Sequence, residues 1–215
     1  MQRRRVQRKD KKLVVSKSGL DEVKPNLPLR IGFDLDGVIL SNPIRIFRSF
    51  VSTGKRMGLL PRRDLEFYVP KSKLEEKLWF YLHKSSWRLA DGFQVLQRLV
   101  AEGKIEAYIV SARFACLAGD SENWVKKINS LDTFKQIYFN NNNEQPHLFK
   151  SKMIKQLKLD YFVEDNLDVA SYLTTDQKKV EIWWLSNLVD ARIDFAHKFN
   201  SFSRIMNKFA ELINK

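Results

Sequence analysis

Apolar residues along this chain alternate between two rhythms. Short unbroken runs rich in β-branched and aromatic residues read as five buried strands: "RIGF" running up to Asp34, "IEAYIVSAR" ending at Ser111, "FKQIYFNN", "DYFVEDN" and "KVEIWWLSN". Between them the apolar spacing turns helical. "GFQVLQRLVAEG" sets Phe93, Leu96, Leu99 and Val100 on one face, with Gly103 just past its end. "SENWVKKINSL" predicts a helix with Ser121 as its N-cap, and "SKMIKQLKL" and "DVASYLTTD" predict two more. From Val189 to Lys215 the positions Ile193, Phe195, Ala196, Phe199, Phe202, Ile205, Met206, Phe209 and Leu212 fall near helical spacing and predict one long helix packed on the sheet or on another subunit. Strands alternating with helices predict an α/β fold, a three-layer Rossmann-like parallel sheet covered on both faces. Such sheets collect ligands at the carboxyl ends of their strands.

One stretch breaks the alternation. Ser41 to Asp91 holds "NPIRIFRSFVSTGKRMGLL" and "LEEKLWFYLHKSSWRLADG", two mostly helical patterns that predict a small helical cap inserted after the first strand. "KPNLPLR" reads as a linker into that strand, and the asparagine run Asn140 to Asn143 reads as a loop. The predicted divisions are therefore a basic leader over 1–29, a core of 30–41 and 92–187, a cap over 42–91 and a C-terminal helix over 188–215.

The 215 residues and their 44% hydrophobic content suffice for one full-sized core. No apolar run approaches the roughly 20 residues of a membrane span, and the basic start "MQRRRVQRKDKK" is not followed by the apolar segment of a secretory signal. Cys116 is the single cysteine, so no internal disulfide forms, and a cytoplasmic location is the expectation. Net charge is +13, of which Met1 to Arg30 carries +7 and the remainder only +6. The excess is thus largely a property of the leader, read first as a solvated terminus and second as an arm for nucleic acid or acidic lipid.

The strand ends concentrate the chemistry. The first ends in Asp34 and Asp36, the second in Ser111 followed by Arg113, and the fourth in Glu164 and Asp165; Lys150 and Lys152 lie at the start of the preceding helix. In a parallel sheet these groups converge on one crevice. Converging carboxylates repel and call for a cation. Their hard oxygens suit Mg²⁺, which binds through one or two carboxylates plus a substrate phosphate. Aspartate is also a covalent nucleophile, and a serine hydroxyl with a lysine makes a cradle for phosphoryl oxygens.

"DLDGV", then "IVSAR", then a lysine, then "FVEDN" resembles, in order, the four motifs of the haloacid dehalogenase-like hydrolase superfamily. The resemblance spans Ile31 to about Asn187. The position of the cap and "FVEDN" look most like its 5′-nucleotidase-type phosphatases. What the resemblance implies is a set of roles. Asp34 would take the phosphoryl group, and Asp36 would protonate the leaving alcohol and then activate water. Gly37 would allow the tight turn that follows. Ser111 would hold the phosphoryl oxygen, with Ala112 and Arg113 beside it at the substrate. Lys150, fourteen residues before Glu164, would neutralise nucleophile and phosphate, with Lys152 as the second candidate and Lys155 on the outer face. Asp165 would hold Mg²⁺ with Asp34 and the main-chain carbonyl of Asp36. Glu164 stands where aspartate is commoner and would ligate through water or orient a neighbour, and Asp168 would be an outer carboxylate.

Other chemistry-bearing residues read as structural. His83, His147 and His197 lack ligand spacing. The cap aromatics Phe67, Tyr68, Trp79, Phe80, Tyr81 and Trp87 read as the cap's own core ahead of a nucleobase platform, and Trp183 and Trp184 read as core. The expected function is a Mg²⁺-dependent phosphatase acting on a small phosphomonoester, with nucleoside 5′-monophosphates among the candidates, as a monomer or homodimer. The competing expectation is a nucleic-acid-associated protein of the same fold, acting on polynucleotide terminal phosphates or binding without catalysis. A phosphotransferase is the third.

Overall fold

β1 (Leu29–Phe33) occupies the middle of a six-stranded sheet. On one side lie β4 (Ile105–Ser111) and then β5 (Gln136–Phe139); on the other lie β6 (Tyr161–Glu164), β7 (Glu181–Leu185) and β8 (Lys198–Phe199). Every neighbouring pair is parallel. A short antiparallel pair, β2 (Leu40–Ser41) with β3 (Arg88–Leu89), brackets the inserted segment, which contributes α1 (Lys73–Lys84). The remaining helices are α2 (Phe93–Ala101), α3 (Ala118–Asn129), α4 (Pro146–Leu157), α5 (Leu167–Asp176) and α6 (Phe202–Ile213). The computed structural model describes residues 27–41, 65–84, 88–129 and 132–214. Residues 1–26 of the leader, 42–64 of the cap, and the side chains of Trp79, His83 and Trp87 therefore lie outside the described residues.

Strand alternation divides the core into two layers. Ile31 and Phe33, with Ile105, Ala107 and Ile109, Val163, Trp183 and Leu185, meet α2, α3 and α6. Tyr108 and Val110, with Phe162, Ile182 and Trp184, meet α4 and α5. The adjacent indoles of Trp183 and Trp184 consequently point into opposite layers. Trp183 stacks on Phe209 at 4.0 Å between ring centres and on Phe199 at 4.8 Å. Truncating a ring so placed costs about 3–5 kcal/mol. Gly32 is where the second layer closes most tightly on β1: a Cβ there would sit 2.5 Å from Leu159 Cδ1 and 2.7 Å from Phe162 Cδ2.

Three sequence expectations are corrected. The stretch from Val189 is not one long helix. Asn187 Oδ1 accepts from the backbone N–H groups of Val189 and Asp190, which starts a turn, and Lys198 Nζ donates to the carbonyls of Asp190, Ala191 and Ile193. The chain then pairs as β8, and helix begins only at Phe202, capped by Ser201 Oγ accepting from Arg204 N. The apolar positions looked like one stripe because they serve both layers: Ile193 and Phe195 pack on the α4/α5 side, Phe199 onward on the α6 side. Ser121 is not an N-cap; α3 starts three residues earlier, after a 3₁₀ turn over Ala115–Leu117, and Ser121 is buried within it. Among the cap aromatics, Tyr68 and Tyr81 are exposed, while Phe67 leaves the cap to pack against His147.

The asparagine loop is ordered by its own side chains. Asn140 is buried, donates through Nδ2 to the Glu144 carbonyl and accepts Glu144 N–H at Oδ1. Among the described residues, no helix is long and apolar enough to cross a membrane.

Candidate active site

The crevice forms where β1, β4 and β6 end side by side. Asp34 follows the last residue of β1, and its backbone N–H still donates to Val163 of β6 at 3.0 Å, so the sheet fixes its position. The chain then turns sharply. Gly37 has φ 83° and donates its N–H to the Leu40 carbonyl at 2.8 Å, closing a loop that only a residue tolerant of positive φ forms without strain. This loop presents Asp34 and Asp36 together, both buried.

Each aspartate meets its own buried cation. Lys150 projects from the second turn of α4, and its Nζ lies 3.0 Å from Asp34 Oδ2 and 2.6 Å from Glu164 Oε2. The other oxygen of Glu164 accepts the Asn166 N–H at 3.0 Å. Asn166 also caps α5, its Oδ1 accepting from the N–H groups of Asp168 and Val169. Lys152 points outward to Glu144, and Lys155 to Asp176. Of the two lysine candidates, Lys150 is the one in the crevice.

Arg113, at the end of β4, grips Asp36 with both arms of its fork: Nε to Oδ2 at 2.7 Å and Nη2 to Oδ1 at 2.8 Å. Its Nη1 donates to Asp120 of α3 at 2.8 Å. The side chain is 1% exposed, so the arginine expected beside the substrate is turned inward onto two carboxylates. Ser111 is buried at the end of β4, its Oγ 3.4 Å from the Arg113 N–H, and Ala112 packs against the α4/α5 layer. Asp165 lies just beyond β6, and its carbonyl accepts the Trp184 indole N–H at 3.1 Å. Asp168 faces solvent on the first turn of α5, outside this cluster.

Carboxylate oxygens of Asp34, Glu164 and Asp165 lie within 4.8 Å of one another. With Asp36 and Asp120, five acids face two basic side chains among the described residues, an excess of carboxylates over cations. The consequence appears at Asp34. Burial, opposed by Lys150 and reinforced by Glu164, Asp165 and Asp36, raises its pKa to about 8. Glu164 is raised as well, by burial first, with Lys150 opposing. Burial works against the Lys150 charge, but Asp34 and Glu164 outweigh it and its pKa is raised. An all-oxygen donor set short of positive charge fits Mg²⁺ and offers nothing for softer metals.

Three residues that the sequence reading missed belong to this arrangement. Asp120 carries no motif and is linked to the site through Arg113. Asn166 sits inside "FVEDN", where its capping chemistry was the available signal. The indole of Trp184, read as core, also bonds the loop that bears Asp165. His147 packs its ring 4.6 Å from that of Tyr172.

The fold and crevice define a parallel α/β protein with an acidic, lysine-bearing site at the end of its central strand. That is the haloacid dehalogenase-like fold, which solved structures of low sequence identity share with this chain. The HAD-hydrolase YfnB from Bacillus subtilis, in a form bound to magnesium, matches with a TM-score of 0.54 at 12% identity over 85% of this chain and 99% of its own. A HAD-superfamily hydrolase from Ehrlichia chaffeensis matches at 0.51 and 18% identity, over 87% of this chain and 98% of its own. CbbY from Rhodobacter sphaeroides, in complex with phosphate, matches at 0.51 and 13% identity, over 82% and 95%. No family model matches the sequence, and no curated protein sequence matches it.

Proposed function

We propose that this chain is a Mg²⁺-dependent phosphatase that hydrolyses a small phosphomonoester through an aspartyl-phosphate. The observation that carries the reading is the Lys150 ammonium set between Asp34 and Glu164, beside three clustered carboxylates at the end of the central strand. Asp34, Asp165 and the main-chain carbonyl of Asp36 would hold the metal, and when bound it supplies positive charge for the phosphoryl oxygens. Shared fold with a magnesium-bound and a phosphate-bound protein supports the same reading.

In the first half-reaction an Asp34 oxygen forms a bond to phosphorus while the ester P–O bond breaks. Its electron pair goes to the leaving oxygen, and Asp36 delivers the proton that makes it an alcohol. In the second half Asp36 takes a proton from water, whose oxygen bonds to phosphorus as the Asp34–phosphorus bond breaks. Inorganic phosphate leaves and Asp34 is restored. Ser111 and Lys150 hold the phosphoryl oxygens throughout. The nucleotidase-type substrate preference is carried only by the sequence resemblance, so nucleoside 5′-monophosphates enter as members of a wider panel. The nucleic-acid alternative rests on the leader, outside the described residues.

The test is phosphate release from a panel of sugar phosphates, nucleoside monophosphates and 4-nitrophenyl phosphate, with Mg²⁺ and with EDTA. Mg²⁺-dependent turnover of at least one ester is expected, lost in Asp34→Asn. Turnover that survives Asp34→Asn overturns the nucleophile, and phosphate moved to another metabolite instead of water makes the protein a phosphotransferase.

A further inference from the structure

Arg113 is a costly residue to bury. A guanidinium removed from water needs carboxylate partners, and three of its five N–H donors find them here: two on Asp36 and one on Asp120. The grip is two-point. A carboxylate held by one contact swings about that contact, whereas a fork bonding both oxygens fixes the carboxylate plane as well as its position. Asp120 in turn keeps the guanidinium from turning. The three side chains come from separate elements, namely the loop after β1, the end of β4 and the first turn of α3, so the framework of the fold fixes the orientation of Asp36. Each carboxylate oxygen has about two acceptor directions. The fork uses one on each.

We propose that Arg113, braced by Asp120, is a positioning residue that presets the Asp36 carboxylate for proton transfer to the leaving oxygen. This role rests on the phosphatase reading above. It differs from the substrate contact expected of Arg113 from sequence, because the guanidinium acts through Asp36 and never meets the phosphate. Proton delivery matters in proportion to the basicity of the leaving oxygen. An alkyl alcohol needs it, and 4-nitrophenolate scarcely does.

The experiment measures release of the alcohol in the first turnover from an alkyl phosphate and from 4-nitrophenyl phosphate. The proteins are wild type, Arg113→Met, Arg113→Lys, Asp120→Asn, Asp36→Asn and the Asp36→Asn/Arg113→Met double variant. Arg113→Met is expected to lose about ten- to a hundredfold more rate on the alkyl ester than on the nitrophenyl ester, within the range of general acid catalysis, with KM unchanged. Lysine cannot form the fork, so Arg113→Lys should show the same selective loss. The double variant should be no slower than Asp36→Asn alone. Asp120→Asn keeps the fork and loosens its brace, so it should show a smaller loss of the same kind, and it decides the matter if the Arg113 variants do not fold. Equal losses on both esters, a raised KM with unchanged rate, or additive effects in the double variant would overturn the positioning role alone. Wild-type protein inert toward both esters in Mg²⁺ and toward the whole phosphomonoester panel overturns the phosphatase reading and this role together.

Discussion

Asp34 and Asp36 stand two residues apart on one loop, are equally buried, and live in opposite electrostatic circumstances. Asp36 is matched: a planar cation binds both its oxygens and is itself shared with one further acid. Asp34 is undermatched: a point-charge ammonium touches one of its oxygens, is shared with Glu164, and leaves Asp165 nearby with the surplus. A fork and an ammonium are not interchangeable. The fork finishes its half of the site as a rigid unit. The ammonium leaves its half with more carboxylates than cations among the described residues, and that is where the proposed divalent cation and phosphoryl group would sit. On the proposed reading, a single loop thus carries one carboxylate held for proton work and one left for bond formation.

The contrast breaks hardest at Asp34. Asp34→Asn keeps the shape and removes the proposed nucleophile, so phosphate release should fall by at least about a thousandfold while the thermal transition remains cooperative; a residual rate near wild type would put the reacting atom elsewhere. Next in size is Lys150→Met, which leaves Asp34 and Glu164 buried without their shared cation. Urea unfolding should show a loss of about 3–5 kcal/mol, and a loss under about 1 kcal/mol would mean that the ammonium is not what holds that half together. The pH dependence follows from the direction of the Asp34 shift. Its pKa is above the unfolded value of 3.8, at about 8, so its protonated form favours the fold and that contribution drains away as pH rises from about 4 through 8. In EDTA, wild type should lose Tm relative to Asp34→Asn across that window. Mg²⁺ should raise the wild-type Tm more at pH 8 than at pH 5, and a pH-independent gain would sever metal binding from this carboxylate. Smallest is Lys152→Met. Its ammonium is half exposed and paired with Glu144, so urea unfolding should shift by no more than about 0.5 kcal/mol.

Much of this arrangement was readable before any coordinates. Strands betray themselves by unbroken β-branched runs, and ligand groups at their ends follow from parallel topology, so Asp34, Asp36, Ser111, Glu164 and Asp165 could be named from sequence. Lys150 and Lys152 could not be separated, because two residues on one helix differ only by which side of it faces the sheet. The inward turn of Arg113 was illegible for another reason. An arginine two residues past a strand can reach substrate or scaffold equally well, and its partner Asp120 lies on a helix whose start was misjudged by three residues. The tail failed because helical spacing was counted across residues that belong to two different layers.

Trp183 and Trp184 face opposite layers, and this gives the molecule two built-in optical gauges of different kinds. The first is stacked among Phe199 and Phe209, far in bonding terms from the acidic crevice, and its emission reports the integrity of the α6 layer. The second donates its indole N–H to the carbonyl of Asp165, so a change of charge at that carboxylate alters the field along the chromophore. A titration followed by fluorescence would therefore separate filling of the crevice from loosening of the core without any attached label, provided Trp79, Trp87 and Trp124 are first replaced by phenylalanine and then each of this pair in turn.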